Sequence, residues 1–180
     1  MIPAGFMAKR VCQKPDWLRA SGVVDIHSVS RCISADFAEF IQYWKHNGFW
    51  LFDSPEVIRT IARENSFDLA GTSLFYYEAH EQEFDGGNWI AWGPDPSLPT
   101  HVVPLSAKNL KGFDVVTFYA RTSPECSPLS CNSMAEALHA NSHCLFASFE
   151  EAETHLNNGA FQNCEPGPYR IFAVYSVDWP

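Results

Sequence analysis

The run Tyr169–Val177 constrains the fold more than any other part of the chain. Ile171, Ala173, Tyr175 and Val177 alternate along one face, and Phe172 and Val174 along the other. Successive side chains of a strand point to opposite sides, so a strand apolar on both faces belongs in the middle of a covered sheet. Val115–Tyr119 has the same character. The chain is therefore predicted to be a single α+β domain spanning residues 1–180, with a mixed or mostly antiparallel sheet covered by about four helices.

Turn and cap signals place the remaining elements. Residues 1–22 read as an irregular N-terminal arm, and Val23–Val29 as a strand. Ser34 offers an N-cap to a helix that carries Phe37, Phe40, Ile41 and Trp44 and stops at Asn47-Gly48. Phe49–Phe52 is a short apolar run. Ser54-Pro55 starts a second helix with Val57, Ile58 and Ile61 inside. Thr72–Glu83 reads as a long strand, turned at Asp85-Gly86-Gly87-Asn88 into Trp89–Trp92. Val102-Val103 and Phe113–Ala120 are further strands. A helix over 133–141, a strand Cys144–Ala147 and a helix opened by the capping box Ser148-Phe-Glu-Glu151 follow. The sequence shows no internal repeat.

Apolar residues make up 46% of the 180 and charged residues 18%, which favours a packed core over disorder. Net charge is −9, and residues 1–19 are locally +3 (Lys9, Arg10, Lys14 and Arg19 against Asp16). An acidic body repels phosphate backbones, so no nucleic-acid partner is expected, whereas a basic protein partner is. No apolar run is long enough to span a membrane, and the N-terminus lacks the order of a signal peptide. A cytoplasmic protein without membrane contact is expected, with its six cysteines reduced.

Chemistry concentrates in Pro124-Glu-Cys126-Ser-Pro-Leu-Ser-Cys131-Asn132. Two thiols stand five positions apart, between a strand and a helix-start signal. A redox pair usually has two intervening residues; here there are four, so the spacing does not force the sulfurs together. A phosphate-binding cysteine loop needs an arginine after the thiol, and position 132 is Asn. Cys131 is the better candidate for activation, being next to the expected helix start, where the dipole favours a thiolate. His139 and His143 follow as candidate bases. The candidate catalytic set is Cys131, Cys126 and His143.

Other groupings point to binding. Glu78, Glu81, Glu83 and Asp85 crowd the far end of the long strand, opposite Trp89 and Trp92, and form a candidate acidic and aromatic docking surface. Arg170, behind Pro166-Gly167-Pro168, is a candidate anchor for an anion. Cys126, Cys131, Cys144 and Cys164 lack the close pairs of a zinc site, and Asp25-x-His27 and Glu78-x-His80 supply two ligand types each. No metal or cofactor is expected. Nucleotide-binding glycine loops and the common hydrolase motifs are absent. The first reading is an inhibitor- or immunity-like module that binds another macromolecule. The alternatives are a thiol-dependent enzyme or redox protein using Cys131 with Cys126, and a small-ligand pocket lined by aromatics.

Overall fold

The computed structural model describes residues 1–41, 45–120 and 123–180. Strands β1 (Ile2–Lys9), β4 (Ser73–Asp85), β6 (Asn109–Thr117) and β7 (Tyr169–Val177) form an antiparallel sheet in the order β1-β4-β7-β6. β5 (Asn88–Ala91) pairs with the far end of β4, and β2 (Cys12–Gln13) pairs with β3 (Asp25–Ile26) in a separate ribbon. Three α-helices occur among the described residues: α1 (Pro55–Glu64), the short α2 (Pro128–Cys131) and α3 (Phe149–Asn157).

The doubly apolar strands are central, and their alternation sorts side chains between two cores. Phe172 and Val174 of β7 join Val116 of β6 and the α1 residues Ile58, Ile61 and Ala62. Tyr169 and Ile171 face the other way, with Val115, Ile26 and the α3 residues Ala152 and Leu156. Both covering helices start on a serine: Ser54 Oγ accepts from the Val57 amide and Ser148 Oγ from the Glu151 amide. Each cap satisfies an amide that the helix itself cannot pair.

The two halves of the sheet repeat one design. A single row of partners crosses it, Gly5–Tyr77–Val174–Gly112, and the register shifts just before each glycine. Asn47 and Asn141 then play the same part. Asn47 Oδ1 accepts from the Phe49 and Leu51 amides while its Nδ2 donates to Ala4 O. Asn141 Oδ1 accepts from the His143 and Leu145 amides while its Nδ2 donates to Lys111 O. Each Asn-centred loop includes one residue at positive φ, Trp50 and Cys144, and then bridges the strand beyond its glycine, Phe52 to Phe6 and Phe146 to Phe113. Ser54 and Ser148 follow. The repeat that the sequence seemed to lack is therefore present as β, Asn loop, α, β. Its trace is thin: Asn-x-x-x-Leu-Phe-x-Ser at 47–54 and again at 141–148.

Other expectations need correction. The N-terminal arm is a strand over Ile2–Lys9, because Ala4, Phe6, Met7 and Ala8 are buried against β4 and the 47–52 loop. The helix expected from Ser34 is only a 3-10 turn, Phe37–Glu39, and its continuation at 42–44 lies outside the described residues. The helix over 133–141 shrinks to the 3-10 turn Met134–Glu136, since Asn141 is committed to its own loop. Val23–Val29 is strand only at Asp25–Ile26, and Val102-Val103 is not strand. Among the described residues no helix is long and apolar enough to cross a membrane.

The repeated glycines give a direct test. A Cβ on Gly5 would lie 2.7 Å from Phe52 O, and one on Gly112 2.6 Å from Phe146 O, both at positive φ. Gly5→Ala and Gly112→Ala should each cost about 1–3 kcal/mol in urea unfolding, whereas Gly93→Ala, with open space around it, should be nearly neutral. Equal stability for all three variants would contradict the close approach.

Candidate functional site

β1 ends in a buried lysine. Lys9 is 1% exposed, and its ammonium donates to the carbonyls of Val29 (3.0 Å), Ser30 (2.7 Å) and Ser34 (3.4 Å). Burial pushes its pKa down, while the Asp36 and Asp114 carboxylates pull it back up. A buried charge is tolerated only with such partners. Here the partners are three carbonyls of one loop, so Lys9 holds the segment 29–34 in a fixed path.

Asp114, on β6, holds the same segment from the other side. It is fully buried, and its Oδ2 accepts from the Val29 amide (2.7 Å) and from Ser127 Oγ (2.6 Å). One oxygen thus ties the loop carrying Cys32 to the loop carrying Cys126 and Cys131. Burial pushes its pKa up to about 7, against the hydrogen bonds and the Lys9 charge. Thr117 fastens Cys126, its amide donating to Cys126 O at 2.8 Å and its hydroxyl accepting from Cys126 N at 3.2 Å. The Cys131 amide donates to Ser127 O at 2.9 Å.

These anchors bring three sulfurs together. The Sγ atoms of Cys32, Cys126 and Cys131 lie within 4.8 Å of one another, with Cys32 exposed, Cys131 half-buried and Cys126 buried. Hydrogen bonds from the Cys126 and Cys131 thiols pull Cys32 below the ordinary thiol range. Partial burial and the Glu165 charge oppose this, and the Cys32 sulfur lies 2.8 Å from the Glu125 carbonyl. Cys126 is pushed above the ordinary range by donating to Cys131 and Cys32 and by burial. The hydrogen bond from Cys126 draws Cys131 down, but its bond to Cys32 and its burial outweigh this and leave it raised.

Sequence reasoning found two of these thiols and missed the third. Cys32 lies 94 positions before Cys126, and no spacing rule links them. The reason given for activating Cys131 also fails. Cys131 is the last residue of α2, and Ser133 breaks the chain with φ 58 before the next turn. Its sulfur is therefore at the carbonyl end of a four-residue helix, where the dipole disfavours a thiolate.

His143 is engaged elsewhere. Its Nδ1 is 2.7 Å from Asp25 Oδ1, and its ring stacks on His27 at 4.2 Å and 16°. His27 Nε2 is 3.3 Å from the other Asp25 oxygen, and burial pulls the His27 pKa down to about 4. His139 is exposed beside Glu151, at 3.7 Å.

The expected docking surface is largely consumed internally. Glu83 is buried and takes two hydrogen bonds of 2.9 Å from Arg170. Glu78 pairs with Lys108 and accepts from Tyr175 Oη at 3.0 Å. Glu81 is exposed and Asp85 half-buried. Trp89 donates to Asn157 at 2.9 Å, and Trp92 packs on Phe49. Arg170 is sandwiched between Trp92 (3.8 Å) and Phe118 (4.0 Å), so it braces the sheet rather than standing at an entrance. Of the other aromatic pairs along the chain, Tyr76, Tyr77 and Phe49 are buried, and Tyr43 and Trp44 lie outside the described residues. Two hollows of 470 and 490 Å³ share Ala107, Val177 and Asp178, and none of Trp89, Trp92 and Arg170 lines either.

Compared with protein-family models, curated proteins and solved structures, the chain finds no match. Its chemistry is read from this geometry alone.

Two outcomes test the anchors. Lys9→Met strips the donor from three buried carbonyls and the counter-charge from Asp36 and Asp114, and should cost about 3 kcal/mol or more in urea unfolding at pH 7; a loss below about 0.5 kcal/mol would contradict the clamp. The pH dependence separates His27 from Asp114. Between about pH 6.5 and 4 the folded state holds fewer protons on His27 than the unfolded chain does, so acid destabilises the protein through His27. Between about pH 7 and 4 it holds more on Asp114, so acid stabilises the protein through Asp114. Relative to wild type, His27→Gln should lose less stability as pH falls from 7 to 4, and Asp114→Asn should lose more. Parallel stability profiles for the three proteins would contradict both assignments.

Proposed function

We propose that the protein works through thiol chemistry at Cys32, Cys126 and Cys131, cycling between thiols and a disulfide by exchange with external disulfides in one direction and external thiols in the other. The observation that carries this reading is the convergence of three sulfurs from two separate loops, graded from exposed to buried. Exposure makes Cys32 the entry thiol. Its thiolate attacks one sulfur of an incoming disulfide; a bond forms between Cys32 and that sulfur, and the other sulfur leaves as a thiolate. Cys126 or Cys131, after losing its proton to solvent, attacks the Cys32 sulfur and expels the second thiolate. Two protein thiols are oxidised to one disulfide, and one external disulfide is reduced to two thiols. The second thiol is already within reach, so the mixed disulfide resolves without a large movement of the chain.

The macromolecule-binding reading has less support, because Glu83 and Glu78 are spent on Arg170 and Lys108. The test is oxidation by a small disulfide followed by peptide mapping. The oxidised wild type should contain one bridge joining Cys32 to Cys126 or Cys131. Cys32→Ser should slow its formation by at least about tenfold, and the double variant Cys126→Ser/Cys131→Ser should accumulate a mixed disulfide on Cys32. A bridge through Cys12 or Cys164, or no bridge at all, would overturn the proposal.

A further inference from the structure

Among the described residues, two clusters hold three metal-ligating side chains each: Asp25, His27 and His143, and Cys32, Cys126 and Cys131. Ring geometry decides between them. An imidazole nitrogen offers its lone pair in the plane of its ring, so a metal shared by two histidines must lie close to both planes. His27 and His143 are stacked, with ring centroids 4.2 Å apart and planes only 16° apart. Two such nearly parallel planes do not aim both lone pairs at one point between them. The Asp25 carboxylate instead takes one nitrogen of each ring, at 2.7 Å from His143 and 3.3 Å from His27, so this cluster suits a shared metal less well than the thiols do.

A thiolate carries no such restriction. Its lone pairs are spread around the sulfur, and rotation about the Cα–Cβ bond aims it. Tetrahedral zinc with Zn–S bonds of about 2.3 Å needs sulfurs roughly 3.8 Å apart, and the three sulfurs here already lie within 4.8 Å of one another. Small rotations complete the convergence. The backbone of each ligand is held: Cys126 by its bridge to Thr117, Cys131 by the Ser127 carbonyl, and the Cys32 loop by Lys9 and Asp114. A fourth donor is close at hand. The Glu165 side chain hydrogen-bonds Cys126, its charge acts on Cys32, and its Oε2 is shut from solvent. A carboxylate close to Cys126 and Cys32 suits a borderline-soft ion that accepts both donor types.

We propose that Cys32, Cys126 and Cys131 bind one zinc ion, with the Glu165 carboxylate turning in as fourth ligand. The proposal deepens the thiol reading and rests on the same three sulfurs. Bound zinc engages all three thiolates, so metal binding and disulfide formation are alternative states of one centre. Zinc occupancy protects the thiols from oxidation, and formation of a disulfide releases the ion.

The test is titration of the reduced protein with cobalt(II) and then zinc, under strictly anaerobic conditions. Cobalt should give the thiolate charge-transfer and visible bands of a tetrahedral site at one equivalent per chain, and zinc should bleach them. Cys32→Ser, an exposed position whose change spares the core, should weaken binding by more than the roughly 10- to 100-fold that losing an outer partner costs. Glu165→Gln should weaken it less, and Cys164→Ser and His143→Gln should leave it unchanged. A lack of cobalt bands, or bands lost in His143→Gln and kept in Cys32→Ser, would overturn the proposal. The disulfide assay on the same samples separates the two readings. Bridge formation without metal binding removes the zinc proposal and leaves the thiol cycle; metal binding without a bridge removes the cycle and leaves the zinc site.

Discussion

The geometry of the thiol centre depends on two buried ionisable side chains, Lys9 and Asp114. Neither makes its main contacts with the other. Lys9 spends its three N–H donors on the carbonyls of Val29, Ser30 and Ser34, while Asp114 accepts from the Val29 amide and the Ser127 hydroxyl. A loop with several buried backbone groups would otherwise be costly to place, because each unpaired group loses its water without replacement. The two side chains supply those partners. In doing so they fix the segment 29–34 against the segment 126–131, and the three sulfurs converge as a result.

The sheet explains why such a pair is available. β1 and β6 are matching strands of two similar halves, each with a register shift at a glycine and each crossed by an Asn-centred loop. After the shift, each strand meets the returning chain through one bridge, Lys9 to Asp36 in the first half and Thr117 to Cys126 in the second. A short helical turn follows each bridge, at Phe37–Glu39 and Pro128–Cys131. The halves differ where the chemistry sits. The first half supplies a buried Lys and the single Cys32, and the second a buried Asp and the pair Cys126 and Cys131. The thiol centre is assembled between two copies of one motif rather than within either.

The legible part of the fold was the part governed by local periodicity. Phe172, Val174 and Ile171 identified β7 as central because alternation needs only neighbouring residues, and Ser54 and Ser148 marked their helices for the same reason. The N-terminal strand was hidden by Pro3 and Gly5, which read as breakers but mark a bulge on an edge strand. The repeat was hidden because only Asn, Leu, Phe and Ser were kept at matching positions. At the site, Cys126 and Cys131 were visible as a local pair. Cys32, Lys9 and Asp114 were not, since tertiary pairing brings them together and a lone lysine in a strand looks like a surface charge. The acids at 78–85 misled for the converse reason: their partners Lys108 and Arg170 are distant in sequence.

The most direct measurement of sulfur convergence is cross-linking of the reduced, native protein with a monosubstituted trivalent arsenical, which bonds two thiolates only when their sulfurs are within a few ångströms. The account predicts one arsenic per chain in native buffer, bridging Cys32 to Cys126 or Cys131, and loss of that selectivity in urea. Arsenic found instead on Cys12, Cys144 or Cys164, or a native protein that takes none, would contradict the convergence.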